Sequence, residues 1–230
     1  MAVLTATGRA AVAAAVKERA IHLAWGRGDS DWETNKSVTA AFGAGNTLSL
    51  GWPHVAQVVV KSEDEATTYA AGTDYTVDST GGLVTRLPAG TIPALATVKA
   101  SFKVATPPET LQAASLIDEI GRRVVTTKAF VTPDPDGDIT VPNGRFAVSE
   151  AATAHLYLEF RYDFDDASDQ TIRELGVFVD TVTDPALPPG QRYFEGMQIT
   201  SAGILLVLEN IAPIVRTPAT RETFVFVISF

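Results

Sequence analysis

The sequence predicts a mainly β protein of α+β type, folded as two lobes of the antiparallel sandwich or barrel kind. Many short runs rich in β-branched residues alternate with Gly, Pro, Asn and Asp turns, a pattern typical of antiparallel sheets. Two segments instead show helical character. With 230 residues, 46% of them hydrophobic, the chain can form one large core or two small ones.

The chain begins with a predicted short helix followed by a strand. An alanine-rich run ends near Glu18, and Thr7 is the predicted N-cap, since a hydroxyl side chain can accept a hydrogen bond from the first turn. Residues 21–25 alternate as a strand does, and Gly26 and Gly28 mark the turn that ends it.

A second region, residues 40–105, has the composition of a small antiparallel sandwich or barrel. Glycine- and proline-containing turns separate its apolar runs, which predicts one short strand for each run. The predicted strands are residues 47–50, 55–61, 74–77, 83–87 and 97–104.

The last region begins with a predicted second helix near residues 107–123. Leu111, Leu116, Ile117 and Ile120 form its apolar stripe, and two prolines stand where a first helical turn tolerates them. Strands are predicted to follow at residues 124–131, 145–148, 155–164, 171–179, 203–208 and 223–230.

The final predicted strand is apolar on both faces. Phe224, Phe226 and Ile228 alternate with Val225 and Val227. Strands with two apolar faces are covered on both sides, so this strand is expected to be central in its sheet or covered by a partner.

Four motifs carry a resemblance to a known family. They are Thr5-Ala-Thr-Gly-Arg-Ala-Ala-Val-Ala13, Trp25-Gly-Arg-Gly-Asp29, Leu116-Ile-Asp-Glu-Ile-Gly-Arg-Arg123 and Ile172-Arg-Glu-Leu-Gly-Val-Phe178. In this order they resemble the attachment domain that begins tail-fibre and baseplate proteins of contractile-tailed phages. Residues 72–102 also resemble a β-module that recurs in phage structural proteins.

The resemblance implies a discontinuous attachment domain, residues 1–39 and 106–230, with an inserted domain at residues 40–105. It implies a structural role in the phage tail, as a baseplate wedge or tail-fibre connector protein. The expected partners are other baseplate and tail-fibre proteins and possible further copies of the chain, in a virion assembled in the host cytoplasm. No fibre shaft follows in the sequence, which favours docking over host recognition.

Two other functions compete with the structural one. The first is a carbohydrate- or receptor-binding β-sandwich, which would present grouped aromatic side chains such as Trp32 or Trp52 on one surface. The second is a hydrolase, which would need paired carboxylates in a cleft. We rank the binding sandwich second, because aromatic residues are only 8% of the chain and most fall within predicted strands, and we rank the hydrolase last.

Five residues are candidates for contact with a partner: Trp25, Trp32, Arg173, Glu174 and Phe178. Tryptophan is enriched at the centres of interfaces, and Trp32 stands in a polar stretch with little apolar cover. Adjacent strand residues face opposite sides, so Arg173 and Glu174 each need a partner, inside the fold or across an interface. An internal ion pair, and a Trp32 packed under its own loop, are the alternatives.

Composition and spacing predict no enzyme, cofactor, metal site, nucleic-acid partner or membrane segment. The net charge of −9 repels phosphate, no apolar run is long enough to span a bilayer, and no cysteine is present. The run Asp134 to Asp138 lacks the glutamate of a calcium loop at its twelfth position, which is Arg145. The acidic cluster Asp163, Asp165, Asp166 and Asp169 and the dispersed histidines lack metal-ligand spacing.

Overall fold

A computed structural model describes residues 2–230. Within them lie one α-helix, α1 (Ala6–Lys17), and one 3₁₀ turn, Gly196–Gln198. The first strands are β1 (Ile21–Gly26), β2 (Asn35–Ala41), β3 (Thr47–Ser49), β4 (Val55–Ser62), β5 (Tyr75–Asp78), β6 (Leu83–Arg86), β7 (Thr97–Val104), β8 (Glu119–Val124) and β9 (Thr127–Pro133). The others are β10 (Ile139–Val141), β11 (Gly144–Ser149), β12 (His155–Tyr162), β13 (Thr171–Val179), β14 (Val182–Thr183), β15 (Tyr193–Glu195), β16 (Ile199–Ser201), β17 (Ile204–Val215) and β18 (Glu222–Ser229).

The chain divides into two compact units. The first contains the chain up to Gly28 together with Glu109–Phe230, and the second is Asp29–Pro108. The insertion expected at residues 40–105 lies within the second unit, and the expected boundary at residue 40 would divide β2.

Helix α1 begins after Thr5, whose hydroxyl oxygen accepts a hydrogen bond from the Gly8 N–H at 3.1 Å. The predicted N-cap, Thr7, is therefore wrong: the N-cap is Thr5, two positions earlier, and Thr7 already lies inside the helix. Alanine, the best helix former, fills most of the segment and lets it approach a sheet closely. Ala13 is the fully buried contact of the helix with the core.

The first unit is built from two five-stranded antiparallel sheets. Their strand orders are β15-β8-β1-β13-β17 and β10-β11-β9-β12-β18. The main core draws its residues from both sheets: Ile21, Leu23, Trp25, Phe130, Leu156, Leu158, Phe160, Tyr162, Ile172, Leu175, Val177 and Val179. Strand β1 is buried at every position because it is central and covered on both faces.

The predicted second helix, at residues 107–123, is wrong. Residues 109–118 form a loop, and β8 follows and pairs with β1. Leu116 packs with Ala24 and Phe178 on the outer face of the first sheet, whereas the supposed stripe residue Leu111 is 100% exposed. Pairing with β1 therefore overrides the helical periodicity of the segment.

The second unit contains two three-stranded antiparallel sheets, ordered β2-β7-β4 and β3-β6-β5. Strand β7 is central, and Val98, Ala100, Phe102 and Val104 alternate into a core that both sheets share. The strand predicted at residues 97–104 is confirmed. Trp32 belongs to the same core and is only 5% exposed.

Strand prediction in the first unit was good for buried strands and poorer elsewhere. The strand at residues 171–179 is confirmed without change. The segment predicted at residues 203–208 is twice as long, at Ile204–Val215, and the one at residues 124–131 is split between β8 and β9. None of the helices within residues 2–230 is long and apolar enough to cross a membrane.

Candidate protein interface

The second and last sequence motifs are hydrogen-bonded neighbours in the first unit. Strands β1 and β13 pair antiparallel, with Trp25 opposite Leu175 and Gly26 opposite Glu174. A Cβ on Gly26 would lie 2.6 Å from Oε2 of Glu174, and a Cβ on Gly176 would lie 2.9 Å from Leu116. These glycines are required because side chains of the other motifs occupy the space beside them.

Glu174 is buried and is held by the main chain. Its carboxylate accepts a hydrogen bond from the Ile117 N–H at 3.0 Å, and its side chain is almost without solvent contact. Burial raises the pKa of Glu174, although the backbone N–H groups around it oppose that shift. The carboxylate therefore anchors the 109–118 loop to the sheet.

Arg173, the neighbour of Glu174, is half-buried. Its guanidinium donates a hydrogen bond to the Arg27 carbonyl oxygen at 3.3 Å. Within residues 2–230, neither Arg173 nor Glu174 takes part in an ion pair. Arg173 and Glu174 are therefore held by hydrogen bonds to main-chain groups, and not by the internal ion pair that was the alternative expectation.

Phe178 is fully buried beneath a buried arginine. The Arg122 guanidinium lies 3.6 Å from the Phe178 ring centroid, a cation–π arrangement. Arg122 also forms a hydrogen bond at 2.6 Å to Glu119 and one at 2.9 Å to the Thr181 hydroxyl. Phe178 therefore contributes to the interior of the first unit.

Trp25 lies in the main core, stacked on Tyr162 with their ring centroids 3.4 Å apart. The Tyr162 hydroxyl donates to the Leu23 carbonyl oxygen at 2.5 Å, and burial raises the pKa of Tyr162 well above its ordinary value. On the other side, the fully buried Arg216 guanidinium lies 5.4 Å from the Trp25 ring.

In the single chain, four of the five predicted contact residues have side chains buried within their own unit. These are Trp25, Glu174 and Phe178 in the first unit and Trp32 in the second. Their predicted role in partner contact stays a prediction. The structure shows the intramolecular contacts, such as the Trp32 core packing, that each side chain makes.

A cleft of the first unit, of about 970 Å³, is lined mainly by polar and charged side chains. Arg123 binds Asp166 and also Asp163, the latter at 2.7 Å, and Arg216 donates to the Asp163 carbonyl oxygen at 2.8 Å. The hydrogen bond from Arg123 lowers the pKa of Asp163. Asp163 and Asp166 of the acidic cluster are thus paired with arginines, and residues 2–230 contain no group of three or more potential metal ligands.

A second concave surface, which we call the β18 groove, is mainly apolar. It has a volume of about 530 Å³ and runs between β17, β18 and the turn at residues 141–143. Phe224 and Phe226 of β18 and Ile211 and Ile214 of β17 reach it while also packing on the main core. These side chains are only half-buried, so the core of the sandwich is open to solvent at this edge.

Strand β18 presents unpaired main-chain groups to the groove side. The Phe230 N–H donates to the Ala154 carbonyl oxygen at 3.0 Å, and β18 pairs with β12 alone. Because hydrogen-bonding directions alternate along a strand, Val225 and Val227 point their N–H and C=O groups away from β12. Among the described residues, no hydrogen bond is formed by these outward backbone groups.

The other long edge strand is protected against pairing, whereas β18 is not. Strand β17 contains Pro213, which lacks an N–H, and it pairs with β13 through two irregularities. The remaining edges of the two sheets, β10 and β15, have three residues each. Short, proline-containing or irregular edges are the usual protection against strand addition, and residues 223–229 have none of them. The end of β10 and the turn at residues 141–143 lie beside this edge but form no strand pairing with it.

The sequence contained part of the signal for this surface. The two apolar faces of β18 predicted a central or a partner-covered strand, and the structure shows that β18 is not central. The opposite wall of the groove, with Glu209 and Ile211, was not identified from the sequence. Its local pattern gave no indication of which sheet edge it would occupy.

Comparison with known families gives two matches. A family described as "Baseplate wedge 3 tail fiber network component" matches residues 1–51 and 94–230, which is most of the chain. A family of proteins of unknown function matches residues 29–115, which include the whole of the second unit.

One curated relative is similar over a shorter stretch. The tail sheath protein of Burkholderia phage BcepMu is 43% identical over 74 residues, which are 32% of this chain. The chain spans only 15% of the length of that protein. The similarity is therefore local to part of each protein.

Proposed function

Because the chain belongs to the family of baseplate wedge 3 tail fibre network components, we propose that it docks onto neighbouring baseplate and tail-fibre subunits. It is a structural component of a phage tail. Within that role it serves as a baseplate wedge or tail-fibre connector protein. It acts through shape and surface contacts in the virion, after assembly in the host cytoplasm, rather than through catalysis.

The observation that carries this proposal is the open, unprotected edge at β18. A solvent-exposed edge strand beside a half-open apolar core is an aggregation hazard for a protein that remains alone. Burial against another subunit removes the hazard and adds apolar contact area. Local similarity to a tail sheath protein gives independent support for a partner within the tail.

We assign the docking role to the discontinuous first unit and interpret the second unit as an inserted domain. The four sequence motifs lie in or beside the first unit, where the β1–β13 pairing joins two of them. The carbohydrate-binding alternative has less support. Trp32 lies in a core, and the Trp52 indole N–H donates to Asp31 at 2.8 Å instead of forming a free aromatic surface.

The proposal is tested on phage particles. Mass spectrometry of purified tails is expected to detect the chain in a fixed ratio to baseplate proteins. Deletion of its gene is expected to give particles without attached fibres or with incomplete baseplates in electron micrographs. A chain that stays in the lysate while tails assemble normally without it would contradict the proposal.

A further inference from the structure

We propose that the β18 groove binds an extended segment of another tail protein, which adds to β18 as a further strand and contributes a basic side chain beside Glu209. This inference rests on the proposed docking function and specifies the surface and the chemistry of its partner.

The main chain of β18 has the geometry that strand addition requires. The outward N–H and C=O groups of Thr223, Val225, Val227 and Ser229 recur every second residue and have no partner within residues 2–230. An extended peptide laid alongside would pair with them and continue the sheet beyond its fifth strand. Main-chain pairing supplies affinity with little dependence on sequence.

The side chains around the edge specify an apolar peptide. A strand added beside β18 would direct alternate side chains toward the half-buried Phe224 and Phe226 and across the groove toward Ile211 and Ile214. Those positions would close the open side of the core. The partner segment is therefore expected to carry apolar residues at every second position.

Glu209 adds the requirement for a positive charge. It lines the groove and has no ion-pair or hydrogen-bond partner among the described residues. No lysine or arginine is among the described residues that line the groove. Partial burial and the nearby Glu109 also raise the pKa of Glu209. A Lys or Arg on the incoming strand would neutralise it.

A second copy of the same chain does not meet this requirement. Strand β18, the unprotected edge that a second copy would offer, has no basic residue between Glu222 and Ser229. The preceding Arg221 already pairs with Asp163 at 3.2 Å. With a net charge of −9, two copies would also repel each other. These facts favour a different tail protein as the occupant.

The test uses a phage whose copy of this gene is deleted and supplied from a plasmid in variant form. Val227→Pro removes one outward N–H and leaves the β12 pairing intact, because proline is tolerated where the N–H of an edge strand faces outward. Its incorporation into purified tails is expected to fall by about tenfold or more, the effect of roughly 1.4 kcal/mol of lost binding energy. Val227→Thr changes the side chain but keeps the N–H, so its incorporation is expected to exceed that of Val227→Pro.

Thermal melting of purified Val227→Pro is expected to match the unchanged chain, which would exclude misfolding as the cause of lost incorporation. The surface variant Glu209→Lys is expected to lower incorporation as well, because it removes the negative charge. A photo-crosslinking amino acid at Ala212, which is exposed in the groove, is expected to capture an apolar segment with a Lys or Arg from a different tail protein.

Equal incorporation of Val227→Pro and Val227→Thr, or cross-links that join two copies of this chain, would overturn the inference and leave the docking function standing. An unchanged chain that is absent from tails would instead remove the docking function itself. The two failures are therefore distinguishable in one set of particles.

Discussion

The two units of this protein have similar secondary structure but very different interiors. The first unit buries seven polar or charged residues: His22, Arg122, Arg123, Asp166, Glu174, Thr181 and Arg216. The second unit buries one, Asp74. A protein that needed only stability would place apolar residues at such positions, because buried ionic groups contribute little net stability once desolvation is counted.

The buried charges of the first unit fix loops rather than strands. Glu174 holds the 109–118 loop, Arg122 holds the Thr181 region, and Arg123 with Arg216 holds the turn after β12. In the second unit, two small sheets close on an apolar core. The contrast indicates that the first unit is built to hold its surface loops in defined positions, as a docking domain requires.

The largest expected effect is that of removing Arg216. Arg216→Ala would leave the Asp163 and Asp166 carbonyl oxygens and Glu222 without their buried donor, beside a cavity under Trp25. Breaking a buried ionic contact by deleting one partner predicts a loss of about 4–5 kcal/mol in the free energy of unfolding. Faster hydrogen exchange of β1 and β12 amides would report this loss.

Arg221→Ala is the matched control for that experiment. Arg221 also pairs with Asp163, but its side chain is 57% exposed, so its removal is expected to change the free energy of unfolding by less than about 1 kcal/mol. Equal effects of the two substitutions would mean that the buried arginine contacts do not support the first unit.

A slightly smaller effect is expected for Trp32 in the second unit. Trp32→Ala would open a cavity among apolar side chains only, with a predicted loss of about 3–4 kcal/mol in the free energy of unfolding. The loss is expected to appear in the exchange of β7 amides. Trp32→Phe, which keeps a ring, would restore part of it. Near-normal exchange in Trp32→Ala would instead support the partner-contact role that the sequence suggested.

The smallest of the three effects is the pH dependence of stability that His22, buried in the first unit, produces. Burial, together with Arg122, lowers the pKa of His22 from 6.5 to about 4. The unfolded chain binds this proton before the folded chain does, so stability present above pH 6.5 is lost as the pH falls toward 4. At about 1.4 kcal/mol for each pKa unit, the loss is about 3 kcal/mol.

His22→Leu isolates that contribution. Glu174, whose pKa is raised, works in the opposite direction because the folded state binds its proton first as the pH falls. Subtracting the unfolding free energies of the variant from those of the unchanged chain between pH 7 and 4.5 removes the Glu174 effect. In the second unit, the Thr91 and Ala70 hydrogen bonds lower the pKa of Asp74, so its contribution is lost only below the ordinary aspartate range. A flat difference curve would contradict the burial of a neutral His22.

Strands with a strong local pattern could be predicted from the sequence, whereas several binding features could not. Residues 97–104 alternate apolar with polar side chains, and residues 171–179 are rich in β-branched and other apolar side chains; both segments form strands at the predicted bounds. Residues 107–123 show a helical spacing of apolar residues, yet they form a loop and β8. Leu116 of that stripe is buried beside Phe178, which lies 62 positions later and therefore cannot be found from a local pattern.

The candidate contact residues follow the same rule. Composition identified Trp25, Trp32 and Phe178 as large apolar groups, but packing decides whether such groups lie in a core or on a surface. The apolar faces of β18 were visible in the sequence. The order of strands in the two sheets decides which sheet edge β18 occupies. The same order places β17, with Glu209, at the other wall of the groove.

The sequence by itself determined the β-rich class, the turn positions and the family motifs, because these depend on residue types at short spacings. The tertiary structure alone decided that the second and last motifs pair across β1 and β13, that arginines pair with Asp163 and Asp166 of the acidic cluster, and that the outer edge of β18 is left without a strand partner. Those outcomes depend on contacts between residues 40 or more positions apart in the sequence, and only closure of the whole fold brings such residues together.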